Sequence, residues 1–338
     1  MGIKKMPVCL VFAAAGVIFL RLAFAAPGSD SLLRIESSLD SMGTTFTIVA
    51  YGADRYALEG AVDLAFEEVR RLDALLSNYR PKSEWSQINR EAANGPVRVS
   101  PELFELLQAC LEYSRASDGA FDISVAPLVK IWGFYKGSGR VPRRAEIRGA
   151  VARVGYQNIE LDPENYTVRF RKKGVEIDPG GIGKGYAVDR VVEILRERNL
   201  HSALISAGGS SMYGLGAPPG EKGWKAVIRH PRQPAGQGEV KAVAEVFLKD
   251  MSLSTSGTTE KFFAARGRVY SHIFDPRTGY PAQGILSVST VAPRTTDSEA
   301  WTKPVFVNGK RWAASRLPKH IKAFVCEDKP STPCAWLQ

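Results

Sequence analysis

EIDPGGIGKGYAVDR, residues 176–190, runs from an apolar strand end (Val175, Ile177) through Asp178 and Pro179 into Gly180, Gly181, Gly183 and Gly185. An amphipathic helix follows on Val188, Val191, Val192 and Leu195. The stretch therefore reads as strand, tight turn and helix N-terminus. Glycines in such a turn permit positive φ and close approach of a ligand to the main chain, and the free N–H groups that begin a helix attract anions. A phosphate-bearing ligand is the natural guest. The familiar labels nevertheless fail. A P-loop needs Ser or Thr after its Gly-Lys pair and a Gly five positions before it, whereas Gly185 follows Lys184 and Asp178 holds the earlier position. A dinucleotide fingerprint starting at Gly181 would need Gly where Tyr186 stands. Taken alone, the turn is open between a phosphate site and a plain Gly-rich helix entry.

The 338-residue chain begins with Lys4 and Lys5, an apolar run to Leu20, and Ala23, Ala25 and Ala26 before Pro27. This is a secretory signal pattern over residues 1–26, with an uncleaved anchor as the alternative. Either way the body, residues 27–338, is expected to be exported, to the periplasm or the outer face of the inner membrane. The formal net charge is +10, and without Lys4, Lys5 and Arg21 it is +7. Basic residues are dispersed and no homeodomain, zinc-finger or RRM-like signature occurs, so a nucleic-acid partner is not expected. A basic rim also suits an anionic membrane surface. Of the three mature cysteines, Cys326 and Cys334 can close a short loop in an oxidising compartment, while Cys110 falls on an apolar helical stripe. None has metal-site spacing.

The length suits one large domain or two intimately packed subdomains. Paired strands are predicted at residues 32–35 and 45–50, and a helix over 55–76 on the stripe Leu58, Val62, Ala65, Phe66, Val69, Leu72 and Leu76. The segment 75–90 breaks the period. Ser100 and Pro101 then open a second helix that Gly119 stops. Residues 120–137 read as loop, 140–148 as a surface loop or short helix, and 154–159 with 166–170 as a hairpin. Strands follow at 202–206, 224–229 and 243–248, then a helix over 310–317 and a last strand at 323–326. There is no HExxH, no G-x-S-x-G and no internal repeat. The polar clusters LSTSG from Leu253, HIFDPRTGYP from His272 and TDSEAWTKPVFVNG from Thr296 each read singly as ordinary strand ends or turns.

Together with SMGTTFTI from Ser41, LSNYRPKSEWSQIN from Leu76, FDISVAPLVKIWGF from Phe121, EIDPGGIGKGYAVD from Glu176 and ALISAGGSSMYGLG from Ala203, these clusters resemble the ApbE-type FAD:protein FMN transferases. The resemblance covers nearly the whole mature chain in order. It implies an α+β fold of antiparallel sheets covered by helices, the ApbE-type (T-fold-like) architecture. It also implies an enzyme that binds FAD, uses Mg2+ at the pyrophosphate, and transfers FMN to a Thr or Ser hydroxyl of an exported or membrane-anchored redox protein, releasing AMP. By position, Met42, Tyr79, Ala120, Phe121, Asp122, Asp178, Lys184, His272 and Ile273 would bind FAD, and Lys184 and His272 would serve catalysis. Gly181 would offer its carbonyl to the metal.

At the last motif the chain departs from the family pattern, which reads Asp-Ala-Leu-x-Thr before an apolar strand and a Gly. Aligned on Val307 and Gly309, Glu299 takes the Asp position and Lys303 the Thr position, with Asp297 and Thr302 nearby but out of register. A protonated lysine has no lone pair for a metal. Three readings follow: a local shift that recruits Asp297 or Thr302, an ammonium that replaces one metal charge, or FAD binding without efficient turnover. A non-catalytic FAD carrier or assembly protein and an FAD pyrophosphatase are the alternatives to the transferase.

Overall fold

In the computed structural model, which describes residues 32–233 and 241–337, the chain opens with an antiparallel hairpin, β1 (Leu33–Ser41) and β2 (Thr44–Gly52). The strands meet at Met42 and Gly43, whose φ of 52° and 70° make the two-residue turn that matches strand twist. The first strand thus continues through residues 36–41, where a connecting segment was expected. Next come α1 (Arg55–Leu76), α2 (Glu84–Glu91), β3 (Val97–Arg98), α3 (Pro101–Ala116), α4 (Ala126–Ile131) and α5 (Arg144–Val151). After β4 (Ile159–Asp162), β5 (Thr167–Phe170) and α6 (Gly183–Glu197) lie β6 (Ala203–Ala207), β7 (Ser211–Leu215), β8 (Trp224–Arg229) and β9 (Ala242–Leu248). The chain closes with β10 (Met251–Gly257), β11 (Phe262–Ala265), β12 (Arg268–Ser271), β13 (Ile285–Ala292), α7 (Thr295–Arg316), β14 (Lys322–Glu327) and β15 (Cys334–Leu337). The predicted signal segment lies outside the described residues. No helix among the described residues is long and apolar enough to cross a membrane.

Eight strands form one antiparallel sheet in the order β1-β2-β6-β7-β10-β13-β14-β15. Strand alternation splits its side chains between two cores. On one face Phe46, Ile48, Ala50 and Ile205 pack with the stripes of α1 (Leu58, Val62, Val69) and α6 (Val188, Val191, Leu195). Val288, Ala292 and Val325 pack with α7 through Val305 and Phe306. On the other face Val49, Leu204 and Val291 meet the hairpin β8–β9 through Trp224, Ile228 and Leu248. This is the expected α+β arrangement, with helices and a small hairpin covering the antiparallel sheet.

Helices α1 and α3 start where their caps dictate. Asp54 accepts from the Ala57 amide at 2.8 Å to open α1, and Ser100 precedes Pro101 at the start of α3. Cys110 is a buried thiol on α3, and Cys326–Cys334 is a disulfide across the paired strands β14 and β15. Three expectations are corrected. Residues 175–178 pair with no strand. The Ile177 N–H donates to Asn89 Oδ1 at 2.7 Å, its carbonyl accepts from Trp85 Nε1 at 3.1 Å and Asn89 Nδ2 at 2.9 Å, and the Asp178 N–H donates to the Ile123 carbonyl at 2.7 Å. Side chains of α2, a helix in the segment read as aperiodic, thus replace a ladder. The apolar run Val305–Val307 is helical, not a strand: α7 continues through Pro304 until Gly309, at φ 80° and ψ 177°, interrupts it. Residues 120–137, read as loop, carry the helix α4, and Ser211–Leu215 pairs with β6 and β10 as a central strand.

Candidate active site

The turn at residues 178–182, the start of α6, the β1–β2 turn, the ends of β6, β7 and β10, and the cavity-facing side of α7 enclose a cavity of about 1340 Å3. That exceeds the usual range for a small ligand, roughly 300–1,000 Å3. It leaves room for a dinucleotide-sized molecule and a further group.

Met42, Tyr79, Ala120, Phe121, Asp122, Asp178, Gly181, Lys184, His272, Ile273, Glu299 and Lys303 all line this cavity. Thr302 does not, which corrects its place among the candidate ligands. Its Oγ1 is buried, donating to the Glu299 carbonyl at 2.7 Å and sharing a hydrogen bond of 2.8 Å with Ser256 Oγ. Asp297 does not line the cavity either, and its carboxylate accepts from the Tyr113 hydroxyl. The helical period explains both results. Glu299 and Lys303 stand four residues apart on one face of α7, and neighbours at one or two residues point elsewhere.

Asp178 accepts from Asn78 Nδ2 at 2.8 Å and from the Gly180 amide at 2.8 Å, so the turn is held by its own carboxylate. Burial raises its pKa, against those two donors. Asp122 lines the cavity, yet its carboxylate already accepts from Ser124 N and Oγ at 2.7 Å and from the Tyr156 amide at 2.7 Å. Burial pushes it up to about 6. These bonds hold the loop that carries Phe121. Lys184, the second residue of α6, donates to Ser210 Oγ, which sets its ammonium beside the helix N-terminus.

His272 sits at the cavity against Phe134, with ring centroids 6.4 Å apart. Its Nδ1 lies 3.1 Å from the Lys261 carbonyl. A carbonyl only accepts, so Nδ1 carries the proton and Nε2 keeps the lone pair. Burial holds the pKa down at about 4, helped by the charges of Lys303, Lys261 and Lys184 and opposed by that hydrogen bond. A histidine kept neutral by folding binds fewer protons than the unfolded chain between pH about 4 and its ordinary 6.5, so its contribution is lost as pH falls through that window. His272→Gln, which retains a donor for the carbonyl, should reduce the acid sensitivity of unfolding by up to about 3 kcal/mol between neutral pH and pH ~4. Urea titrations of both proteins across that range check it. Parallel pH profiles would refute the neutral assignment.

Several cavity residues escaped the sequence reading. Tyr135 stacks on Tyr79 with centroids 4.8 Å apart and 21° between planes, and its hydroxyl donates to the Asn78 carbonyl at 2.8 Å. Tyr79 remains 71% exposed, so the pair offers an aromatic shelf at the mouth. Ser210, Ser256 and Lys261 also line the cavity. Their only sequence signal was position beside strand-end glycines or polar clusters.

The donor set does not fit Mg2+. A hard cation takes carboxylate, carbonyl and water oxygens. Beside Gly181 stands the Lys303 side chain, its Cε 3.6 Å from where a Cβ on Gly181 would lie. The Glu299 carboxylate already accepts from the Gly185 amide. Among the described residues, no group of three or more His, Cys, Asp or Glu side chains is placed to hold a metal ion.

Residues 42–325 match the ApbE family, spanning the β1–β2 turn, the glycine turn and α7. The chain belongs to the ApbE family. It is 33% identical over 294 residues to an FAD:protein FMN transferase of Klebsiella pneumoniae (strain 342), covering 85% of this chain and 88% of that protein. It is 30% identical over 337 residues to one of Treponema pallidum (strain Nichols), covering 95% and 92%. Its fold superposes on the ApbE protein of Thermotoga maritima with a TM-score of 0.81 at 30% identity, over 90% of this chain and 96% of that one. It also superposes on the apo flavinyl transferase ApbE of Pseudomonas stutzeri with a TM-score of 0.78 at 27% identity, over 90% and 94%. In this ApbE family member the cavity is therefore the candidate active site, and the sheet and α7 supply its walls.

Proposed function

We propose that this protein is an FAD:protein FMN transferase whose acceptor is a Thr or Ser hydroxyl on an exported or membrane-anchored redox protein. The observation that carries the reading is the convergence of Lys184, the start of α6, a neutral His272 and the aromatic shelf of Tyr79 and Tyr135 on one cavity. The lysine and the helix start suit a pyrophosphate, and the shelf suits a planar ring. In the transfer, the acceptor oxygen forms a bond to the FMN phosphorus while the bond from that phosphorus to the bridging oxygen breaks. AMP leaves with the bridging oxygen and the electron pair, and the hydroxyl proton passes to His272 Nε2. Lys184 offsets the charge that builds on the phosphoryl oxygens.

Export to the periplasm or the outer face of the inner membrane is supported by the signal pattern of residues 1–26 and by Cys326–Cys334, a pairing suited to an oxidising compartment. A basic surface suits contact with an anionic membrane carrying the acceptor. The Mg2+ dependence that the resemblance implies finds no matching donor set at Glu299 and Lys303. The test is incubation of the purified protein with FAD and a protein bearing a Thr-containing flavinylation segment, followed by mass analysis of the acceptor and detection of AMP. A gain of one FMN with AMP is expected. FAD retained with neither product would favour an FAD carrier or assembly protein. AMP and free FMN without labelled acceptor would indicate an FAD pyrophosphatase.

A further inference from the structure

Lys184 and Lys303 bring two ammonium groups to the same end of the cavity from different elements. Lys184 lies in the first turn of α6, while Lys303 reaches across from α7 to Gly181, just before that helix. Each donates to a neutral oxygen, Lys184 to Ser210 Oγ and Lys303 to the Glu299 main-chain carbonyl at 3.2 Å. Burial lowers the pKa of Lys303, Glu299 and Glu260 favour its charge, and Lys184 opposes it. Two like charges held together at a buried site, each on a neutral partner, are costly unless an anion joins them. Neither nearby carboxylate serves that purpose fully: the Gly185 amide also draws on Glu299, and burial raises the pKa of Glu260 against the pull of Lys184 and Lys303. Both ammonium groups line the cavity where α6 presents its positive end, and a doubly charged pyrophosphate is the chemistry that suits them.

We propose that Lys303 is a built-in cation of the pyrophosphate site, so that this chain binds FAD without a divalent metal. The inference rests on the FAD reading of the cavity. Lys303 stands beside Gly181, whose carbonyl the resemblance assigns to a metal, and a pyrophosphate next to it would favour its charged form against the effect of burial. Acceptor transfer is then limited by placement of the two lysines and His272, and not by metal supply.

The test is FAD binding followed by flavin fluorescence in EDTA and in saturating Mg2+, together with Mn2+ binding to the FAD-loaded protein by electron paramagnetic resonance. The unmodified protein should bind FAD with a Kd that changes by less than about twofold between the two conditions, and should bind no Mn2+. Lys303→Thr should lose about tenfold or more in affinity in EDTA and regain it with Mg2+, since one charged hydrogen-bonding group has been removed. Lys303→Arg should keep its affinity in EDTA, which covers the case in which the Thr variant does not fold. A rise of about tenfold in the affinity of the unmodified protein on adding Mg2+, or Mn2+ bound by it, would overturn the inference and leave the FAD reading standing; tenfold is ~1.4 kcal/mol, within the range of one charged contact. No FAD binding in either condition would overturn both.

Discussion

His272→Ala should slow FMN transfer by about 10²–10⁴-fold, the range for loss of a positioned general base, while FAD affinity stays within a few-fold. The imidazole is prepared for one role. Its Nδ1–H is committed to the Lys261 carbonyl, and three nearby lysines together with burial keep the ring neutral, so Nε2 is unprotonated at neutral pH. A base that must first lose a proton would show an acid limb near pH 6.5, its ordinary pKa, whereas this one should hold its rate down to about pH 4. Single-turnover transfer at saturating FAD separates the chemical step from binding. A loss below about tenfold, or a loss appearing wholly in the Kd for FAD, would remove His272 from the proton-transfer role. The variant's folding is checked separately by its unfolding midpoint, because Phe134 and the Lys261 backbone both touch the ring.

Trp132→Ala should cost about 3–5 kcal/mol of unfolding free energy, typical of a large side chain removed from a closed core. Trp132 is fully buried. Its ring packs among Phe263, Tyr270, Phe274 and Tyr280, and its Nε1 donates to the Gly279 carbonyl at 2.9 Å. These partners come from β11, β12 and the loop that runs on from His272, so the indole ties α4 to the segment that presents the base. Truncation leaves a cavity and an unpaired carbonyl together. Trp132→Phe, which refills much of the volume but not the hydrogen bond, should recover more than half of the loss. Urea unfolding of the three proteins decides the point. A cost for the alanine variant below about 1 kcal/mol would show that the cluster closes around the gap.

The fold was legible wherever one element stated its own period. Helix α1 spans the predicted Arg55–Leu76 because its apolar residues recur at three and four positions and Asp54 caps it. The same local logic placed α3 and the glycine turn. It failed where the deciding partner is remote in sequence. Val175 and Ile177 look like a strand end, but the groups that satisfy Ile177 belong to Trp85 and Asn89 in α2, about ninety residues away. Val305–Val307 after Pro304 looks like the start of a strand, since a proline within a helix is costly. Here it remains helical because Val305 and Phe306 are buried against β13 and β14.

The candidate site was legible to a similar depth. Separated motifs placed Asp178, Lys184, Glu299, Lys303 and His272 in one chemistry, and every one of them lines the cavity. Sequence did not show that Tyr135 and Asn78 join them, because neither sits in a pattern that demands a ligand. They are brought in by a ring stack on Tyr79 and by a hydrogen bond that the Asn78 side-chain amide donates to Asp178.

The amino-acid sequence alone set the glycine turn before α6, the starts of α1 and α3 and the cysteine pair, since each follows from backbone freedom, capping chemistry or spacing within a few residues. Three-dimensional packing decided that Thr302 turns into the core, that Lys303 stands beside Gly181, and that His272 is neutral with its lone pair on Nε2. Those outcomes depend on contacts between segments far apart in the chain, where burial, hydrogen-bond direction and neighbouring charge are fixed only once the sheet and α7 have closed around the cavity.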